Sequence, residues 1–270
     1  MALLISIPVS LLLFWLILGW KKRDPFPKGG LLRLLVFGAL SCVAAAFLYQ
    51  ILSFLLAAVR IGPGRLVQIF RLLQTDPSQA QEEMSSISAS LGTPSPLRTL
   101  FTTLVTAGLL EELCKFSAYR ISIRKEGMVR TWMDSVTCCA TVGLTFQFLE
   151  NLLYASQNGI MTAVLRSFVP VHFCCAVIMG YDYGRYLVTG KNRYRVSSVF
   201  VPVLIHTLFD TALNLLPDSS GEAEGSAVFE ILALAALLAA AILTAVLIIR
   251  VVRWHRKGML DMPVGQVQEG

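Results

Sequence analysis

The chain has 270 residues and a net charge of +6; apolar residues make up 55% of it, charged residues 15%, and mean hydropathy is +0.66. Soluble domains carry about 25% charged residues, so this composition excludes a disordered chain and argues against a soluble enzyme or a nucleic-acid binder with one basic face. A membrane span takes about 20 mostly apolar residues, so the length holds about seven spans and no sizeable water-soluble domain.

In chain order, the apolar runs fall at 2–20, 31–59, 99–121, 135–156, 160–184, 197–216 and 228–252. The first has no positive segment before it, and Lys21, Lys22 and Arg23 follow it. A secretory signal has the reverse order, so this run is expected to be a retained span. The loop 60–98 begins with Arg65-Leu-Val-Gln-Ile-Phe-Arg-Leu-Leu, which predicts an amphipathic turn or two at the membrane interface. Its second part, 75–96, is rich in Ser, Gln and Pro and is expected to be mobile. The segment 257–270 reads as a tail. Six cysteines (Cys42, Cys114, Cys138, Cys139, Cys174 and Cys175) lie inside apolar runs without metal-site spacing and read as small buried hydrophobes.

Basic residues orient the spans. Lys21, Lys22, Arg23, Lys28 and Arg33, then Arg120, Arg124, Lys125 and Arg130, then Arg185, Lys191, Arg193 and Arg195, and last Arg250, Arg253, Arg256 and Lys257 all fall on one side. The other side has Arg60, Arg65, Arg71, Arg98 and Arg166. The excess marks the cytoplasmic face. The expected fold is therefore all-α: one membrane-embedded bundle over 1–256 with about seven spans, its N-terminus outside and its C-terminus in the cytoplasm. Asp218, Glu222 and Glu224 then lie in an external loop.

Several ionisable residues interrupt the spans: Glu111, Glu112 and Lys115 in the third, Glu150 beside Asn151 in the fourth, His172 in the fifth, His206 and Asp210 in the sixth. Each such group costs about 2.5–3.5 kcal/mol at mid-membrane on insertion scales, which marks it for function. At 1.5 Å per residue, Glu111, Glu112, His172 and His206 fall roughly 15–20 Å below the outer end of their spans, and Glu150 and Asp210 roughly 9 Å below. Two neighbouring polar levels are thus expected. Glu111 and Glu112 are spaced to pair with Lys115, and His206 with Asp210. Lys115 also lies close enough to the cytoplasmic end to extend towards water. A buried carboxylate suits a general base that activates water for peptide hydrolysis, and a nearby imidazole suits proton transfer or oxyanion binding. No nucleophile elbow and no H-E-x-x-H motif is present. A proton-coupled transporter would use similar groups, but neither inverted repeats nor broken helices are evident.

Ala107-Gly-Leu-Leu-Glu111-Glu112-Leu-Cys-Lys115 resembles the E-E-x-x-K motif of the PrsW intramembrane proteases, which are grouped with the CAAX prenyl proteases and bacterial immunity-type proteases. Phe146-Gln-Phe-Leu-Glu150-Asn151 is similar to that family's F-x-x-x-E-N, His172 with Gly180 to its third motif, and His206-Thr-Leu-Phe-Asp210 to its H-x-x-x-D. The prenyl proteases carry His at the place of Glu150, so a prenylated substrate is not expected. The resemblance implies an intramembrane endopeptidase of a bacterial plasma membrane, acting on membrane-anchored proteins such as anti-sigma factors; the depth of the polar residues puts the expected cleavage near the outer face. It implies Glu111 as general base, Glu112 as its positioning partner, His172 in proton transfer, and His206, oriented by Asp210, at the oxyanion. Lys115, Phe146, Glu150 and Asn151 would support the site or hold substrate. No cofactor, no metal and no nucleic-acid partner is expected. A metal-dependent site and a non-proteolytic scaffold of the same fold are the alternatives.

Overall fold

In lipid, an apolar segment satisfies its own backbone N–H and C=O groups as a helix, and the apolar segments among the described residues are helical. The computed structural model describes residues 2–20, 25–91, 95–157, 170–215 and 227–264. In order the helices are α1 (Ala2–Trp20), α2 (Gly30–Ile61), α3 (Pro63–Thr75), α4 (Pro77–Leu91), α5 (Pro96–Thr103), α6 (Leu110–Ser122), α7 (Trp132–Gln157), α8 (Val171–Thr189), α9 (Asn192–Leu215) and α10 (Ala227–Arg256). A π-helical turn, Leu104–Leu109, joins α5 to α6. No β-strand occurs among the described residues.

Among the described residues, four stretches are long and apolar enough to cross a membrane: 30–56, 132–153, 192–215 and 234–256, with Ser10–Trp20 a shorter apolar helix. The expected third run is divided into α5, the π turn and α6. The start of the expected fifth run, 160–169, and the acidic segment with Asp218, Glu222 and Glu224 lie outside the described residues. Apolar side chains face outward from the peripheral helices, as with Leu40, Phe47 and Phe54 on α2 and Leu234, Leu238 and Ile242 on α10. That outside suits lipid rather than water, and the chain is a membrane protein.

α7 and α8 form the interior. Every residue from Val171 to Gly180 is buried, as is every residue from 132 to 147. The two backbones meet closely at two glycines. A Cβ on Gly143 would lie 2.3 Å from the Cβ of Ala176 and 2.8 Å from the His172 carbonyl oxygen; a Cβ on Gly180 would lie 2.7 Å from the Ser135 carbonyl oxygen. The missing side chains thus set the register in which His172 faces α7. α2 packs across α6 and α7, α1 packs on α7, and α9 packs between α8 and α10.

The segment 75–96 is helical over most of its length, as α4. Asp76 caps it: its Oδ1 accepts from the Ser78 hydroxyl and the Gln79 N–H, which hold its carboxyl below the usual carboxylate range, and Pro77 starts the first turn. Ile69, Ala80 and Ile87 are buried in the α3–α4 pair. The start of the tail docks on the bundle. Carbonyls of Met262 and Leu260 accept from the Trp132 and Met133 N–H groups, at 3.0 and 2.9 Å, Thr131 pairs with Pro263, and the Leu260 side chain is buried in the same cluster as Trp132 and Phe173. The tail therefore satisfies orphan donors at the start of α7.

Candidate active site

α6 presents its polar stripe inward. Glu112, Lys115, Tyr119 and Ser122 are buried, while Leu113 and Ile121 are exposed, the pattern of a 3.6-residue repeat in a helix whose outer face meets lipid. The preceding π turn inserts one residue per turn relative to an α-helix and sets the direction in which the two glutamates leave the backbone. Further along the stripe, Tyr119 Oη lies 2.6 Å from Ser135 Oγ, which donates to the Gly180 carbonyl at 2.7 Å. That chain ties α6, α7 and α8 together.

Glu112 is fully buried and takes two partners through Oε1. Lys115 Nζ donates to it at 2.6 Å and His206 Nδ1 at 2.9 Å. Lys115 does not extend towards water: it is also fully buried, with Nζ 2.8 Å from His172 Nδ1 and 4.4 Å from the centre of the Phe146 ring. An ammonium can only donate, so His172 accepts at Nδ1 and carries its proton on Nε2, which pairs with Glu150 Oε2. The His172 ring is thereby fixed as a neutral tautomer.

His206 has a carboxylate beside each ring nitrogen: Glu112 at Nδ1 and Asp210 Oδ2 at 3.2 Å from Nε2. Asp210 was expected to orient this ring; Glu112, from another helix, holds it as well. The His172 and His206 rings meet edge to face, 4.7 Å apart. Glu111 differs from its neighbour. Its side chain is 16% exposed, and Oε2 lies 3.8 Å from His172 Nδ1, 3.8 Å from His206 Nε2 and 4.0 Å from Lys115 Nζ. Those separations exceed a direct hydrogen bond and suit groups that meet through a third atom.

The structure therefore gathers Glu111, Glu112, Lys115, Phe146, Glu150, His172, His206 and Asp210, and merges the two expected polar levels into one cluster. Asn151 is buried beside Glu150, and neither its Oδ1 nor its Nδ2 is hydrogen-bonded. Sequence reasoning missed Gln147, whose Oε1 accepts from the Phe173 N–H at 3.2 Å. The signal was a polar residue between Phe146 and Phe148, one helical turn before Asn151.

The same cluster contains a metal-capable set that spacing alone did not show. Glu111, His172 and His206 each offer one ligand atom, all within 4.8 Å of one another. Glu150 on His172 Nε2 and Glu112 on His206 Nδ1 leave the opposite nitrogens on the side of Glu111. Two histidines backed by carboxylates, with one glutamate, is a donor set that fits Zn²⁺.

Residues 27–246 match the family model described as PrsW family intramembrane metalloprotease. Among characterised proteins, the chain is similar to Protease PrsW of Halalkalibacterium halodurans, 36% identical over 43% of this chain and 56% of that protein. It is also similar to Protease PrsW of Geobacillus kaustophilus, 32% identical over 40% of this chain and 50% of that one. The Bacillus subtilis Protease PrsW is 30% identical over 44% and 56% respectively. The chain spans about half the length of these relatives in the matched regions. No solved structure matches it. With the family model matching it through most of its length, the chain belongs to the PrsW family of intramembrane proteases.

Proposed function

We propose that the chain is a multi-pass endopeptidase that hydrolyses peptide bonds of membrane-anchored proteins, with Glu111 as general base. One observation carries the assignment of roles. Glu112 is immobilised by Lys115 and His206, whereas Glu111 is partly exposed and stands 3.8 Å from both histidines without a direct bond to either. Glu111 is thus the carboxylate left available for a water.

In this mechanism the Glu111 carboxylate takes a proton from water as the oxygen bonds to the scissile carbonyl carbon. The oxyanion that forms accepts a hydrogen bond from His206 Nε2, while Glu112 accepts from Nδ1 of the same ring. The proton then passes to the leaving nitrogen through Glu111, with neutral His172 beside it, and the C–N bond breaks to give a carboxylate and an amine. Lys115 balances Glu112, and Glu150 holds the tautomer of His172. The bundle has about seven spans with its N-terminus outside, cleaves near the outer face, and works in a bacterial plasma membrane on anti-sigma-factor-like substrates. The asymmetry of basic residues and the family's motifs support this.

A second reading uses a metal. It is favoured by the Glu111, His172 and His206 donor set, with Glu150 and Asp210 beside the two histidines and Glu111 and Glu112 beside Lys115. Held there, Zn²⁺ would supply a Lewis acid and lower the pKa of a bound water to about 7. Lys115 would compete with it for His172 Nδ1.

Purified protein incubated in detergent with single-span membrane proteins tests the function. Mass spectrometry is expected to show one internal bond cut, with solvent ¹⁸O in the new carboxylate. If wild type cleaves no substrate, the peptidase reading is wrong; if Glu111→Gln cleaves as wild type does, the base assignment is wrong.

A further inference from the structure

Gly143, Gln147 and Asn151 are spaced i, i+4, i+8 and so share one face of α7. Gly143 abuts α8 at Ala176 and His172, and Gln147 bonds to the backbone of Phe173, so this face follows the first turn of α8. Along it lie buried amide groups without partners. Asn151 is 2% exposed with both Oδ1 and Nδ2 unpaired, and Gln147 is 1% exposed with Nε2 unpaired. Their neighbours in sequence and space belong to the cluster already described: Glu150 adjoins Asn151, and Phe173 adjoins His172.

Native proteins seldom leave a buried amide unpaired. These two stand where a peptidase in a membrane has a particular need. A substrate helix bonds its own carbonyls and N–H groups, so the bond to be cut must first unwind. An unwound strand in a water-poor site needs replacement donors and acceptors. A carboxamide offers one donor and one acceptor side by side, matching the C=O and N–H of a main chain. We propose that Asn151 and Gln147 form a binding site for the unwound backbone of the substrate next to the scissile bond. Asn151 accepts a substrate N–H at Oδ1 and donates to a substrate C=O from Nδ2, and Gln147 Nε2 donates to a second carbonyl while Oε1 stays on Phe173. The site recognises main chain rather than side chains, so it admits varied sequences. The inference rests on the peptidase reading.

The test uses full-length protein in detergent and a synthetic single-span peptide that wild type cleaves and Glu111→Gln does not. Asn151→Leu and Gln147→Leu are expected to lower kcat/KM by on the order of 10- to 100-fold, since the substrate's buried groups lose their partners. The Tm of Asn151→Leu should stay level or rise, because an unpaired polar group has been removed from the fold; Gln147→Leu also loses the bond from the Phe173 N–H, so its rate is read per folded molecule. Ester bonds placed in turn at the peptide linkages flanking the scissile one remove single N–H donors. One such ester should cost wild type roughly 10-fold and cost Asn151→Leu nothing further. Wild-type kcat/KM in both Leu variants would overturn the inference, as would activity lost in proportion to folded protein with no ester coupling. If no peptide in a panel is cleaved by wild type, the peptidase reading itself fails, and the inference with it.

Discussion

Glu111 and Glu112 are adjacent in sequence, yet their surroundings divide their work. Glu112 is buried with two charge-assisted bonds, so Glu112→Gln breaks a buried pair and strands Lys115, at a cost of about 3–5 kcal/mol. A fall in Tm together with activity is expected, and thermal unfolding in detergent checks it. Asp210 and Glu112 flank His206 from different helices. His206→Ala should lower the rate per folded molecule by on the order of 10²–10³. Asp210→Asn should lose less, because Glu112 still holds the ring through Nδ1. Full specific activity in His206→Ala would make that ring a link between helices and nothing more. The sequence exposed these residues plainly, since each is a polar group in an apolar run. Their pairing was less legible: the Glu112–His206 bond joins residues 94 apart, and only tertiary packing decides it.

At the scale of elements, the site depends on how closely α7 and α8 approach. A Cβ on Gly143 would meet Ala176 and the His172 carbonyl, so Gly143→Ala should push α8 away and loosen the His172–Glu150 contact. The expected cost is about 1–3 kcal/mol in stability, with activity reduced further; an unchanged Tm would contradict this packing. The docked tail makes a second case. Deleting 257–270 removes the carbonyls that cap α7 and the buried Leu260, whose burial alone is worth about 1.5–3 kcal/mol. Thermal unfolding of the truncated chain should show that loss. Neither α4 nor the tail contact was read from the sequence. The polar composition of 75–96 hid a helix start that Asp76 and Pro77 announce locally, whereas the tail docks through backbone bonds to a segment about half the chain away and leaves no local pattern.

For the whole molecule, the exposed apolar faces of α2 and α10 and the buried polar cluster between α6, α7, α8 and α9 describe a bundle turned outward to lipid. Its proposed orientation places α4 outside and the α8–α9 turn in the cytoplasm. Ser85 and Lys191 are both exposed. A membrane-impermeant maleimide applied to intact cells should therefore label Ser85→Cys and reach Lys191→Cys only after permeabilisation; the opposite pattern would invert the topology. The metal question is separable from topology and from fold. Under the glutamate mechanism, activity survives dialysis against a chelator and metal analysis finds no stoichiometric zinc. Activity lost to the chelator and restored by Zn²⁺ alone would move Glu111 from base to ligand.

In the proposed mechanism the available carboxylate beside His172 and His206, that of Glu111, removes the proton from the attacking water. The most direct measurement is the cleavage rate per folded molecule of Glu111→Gln against wild type, on one single-span substrate in the same detergent. Glu111 is partly exposed and has no direct hydrogen bond to the histidines, so the variant should fold and unfold as wild type does. Its rate should fall by about 10²–10⁴. A correctly folded Glu111→Gln protein that cleaves at the wild-type rate would show that Glu111 is not the base.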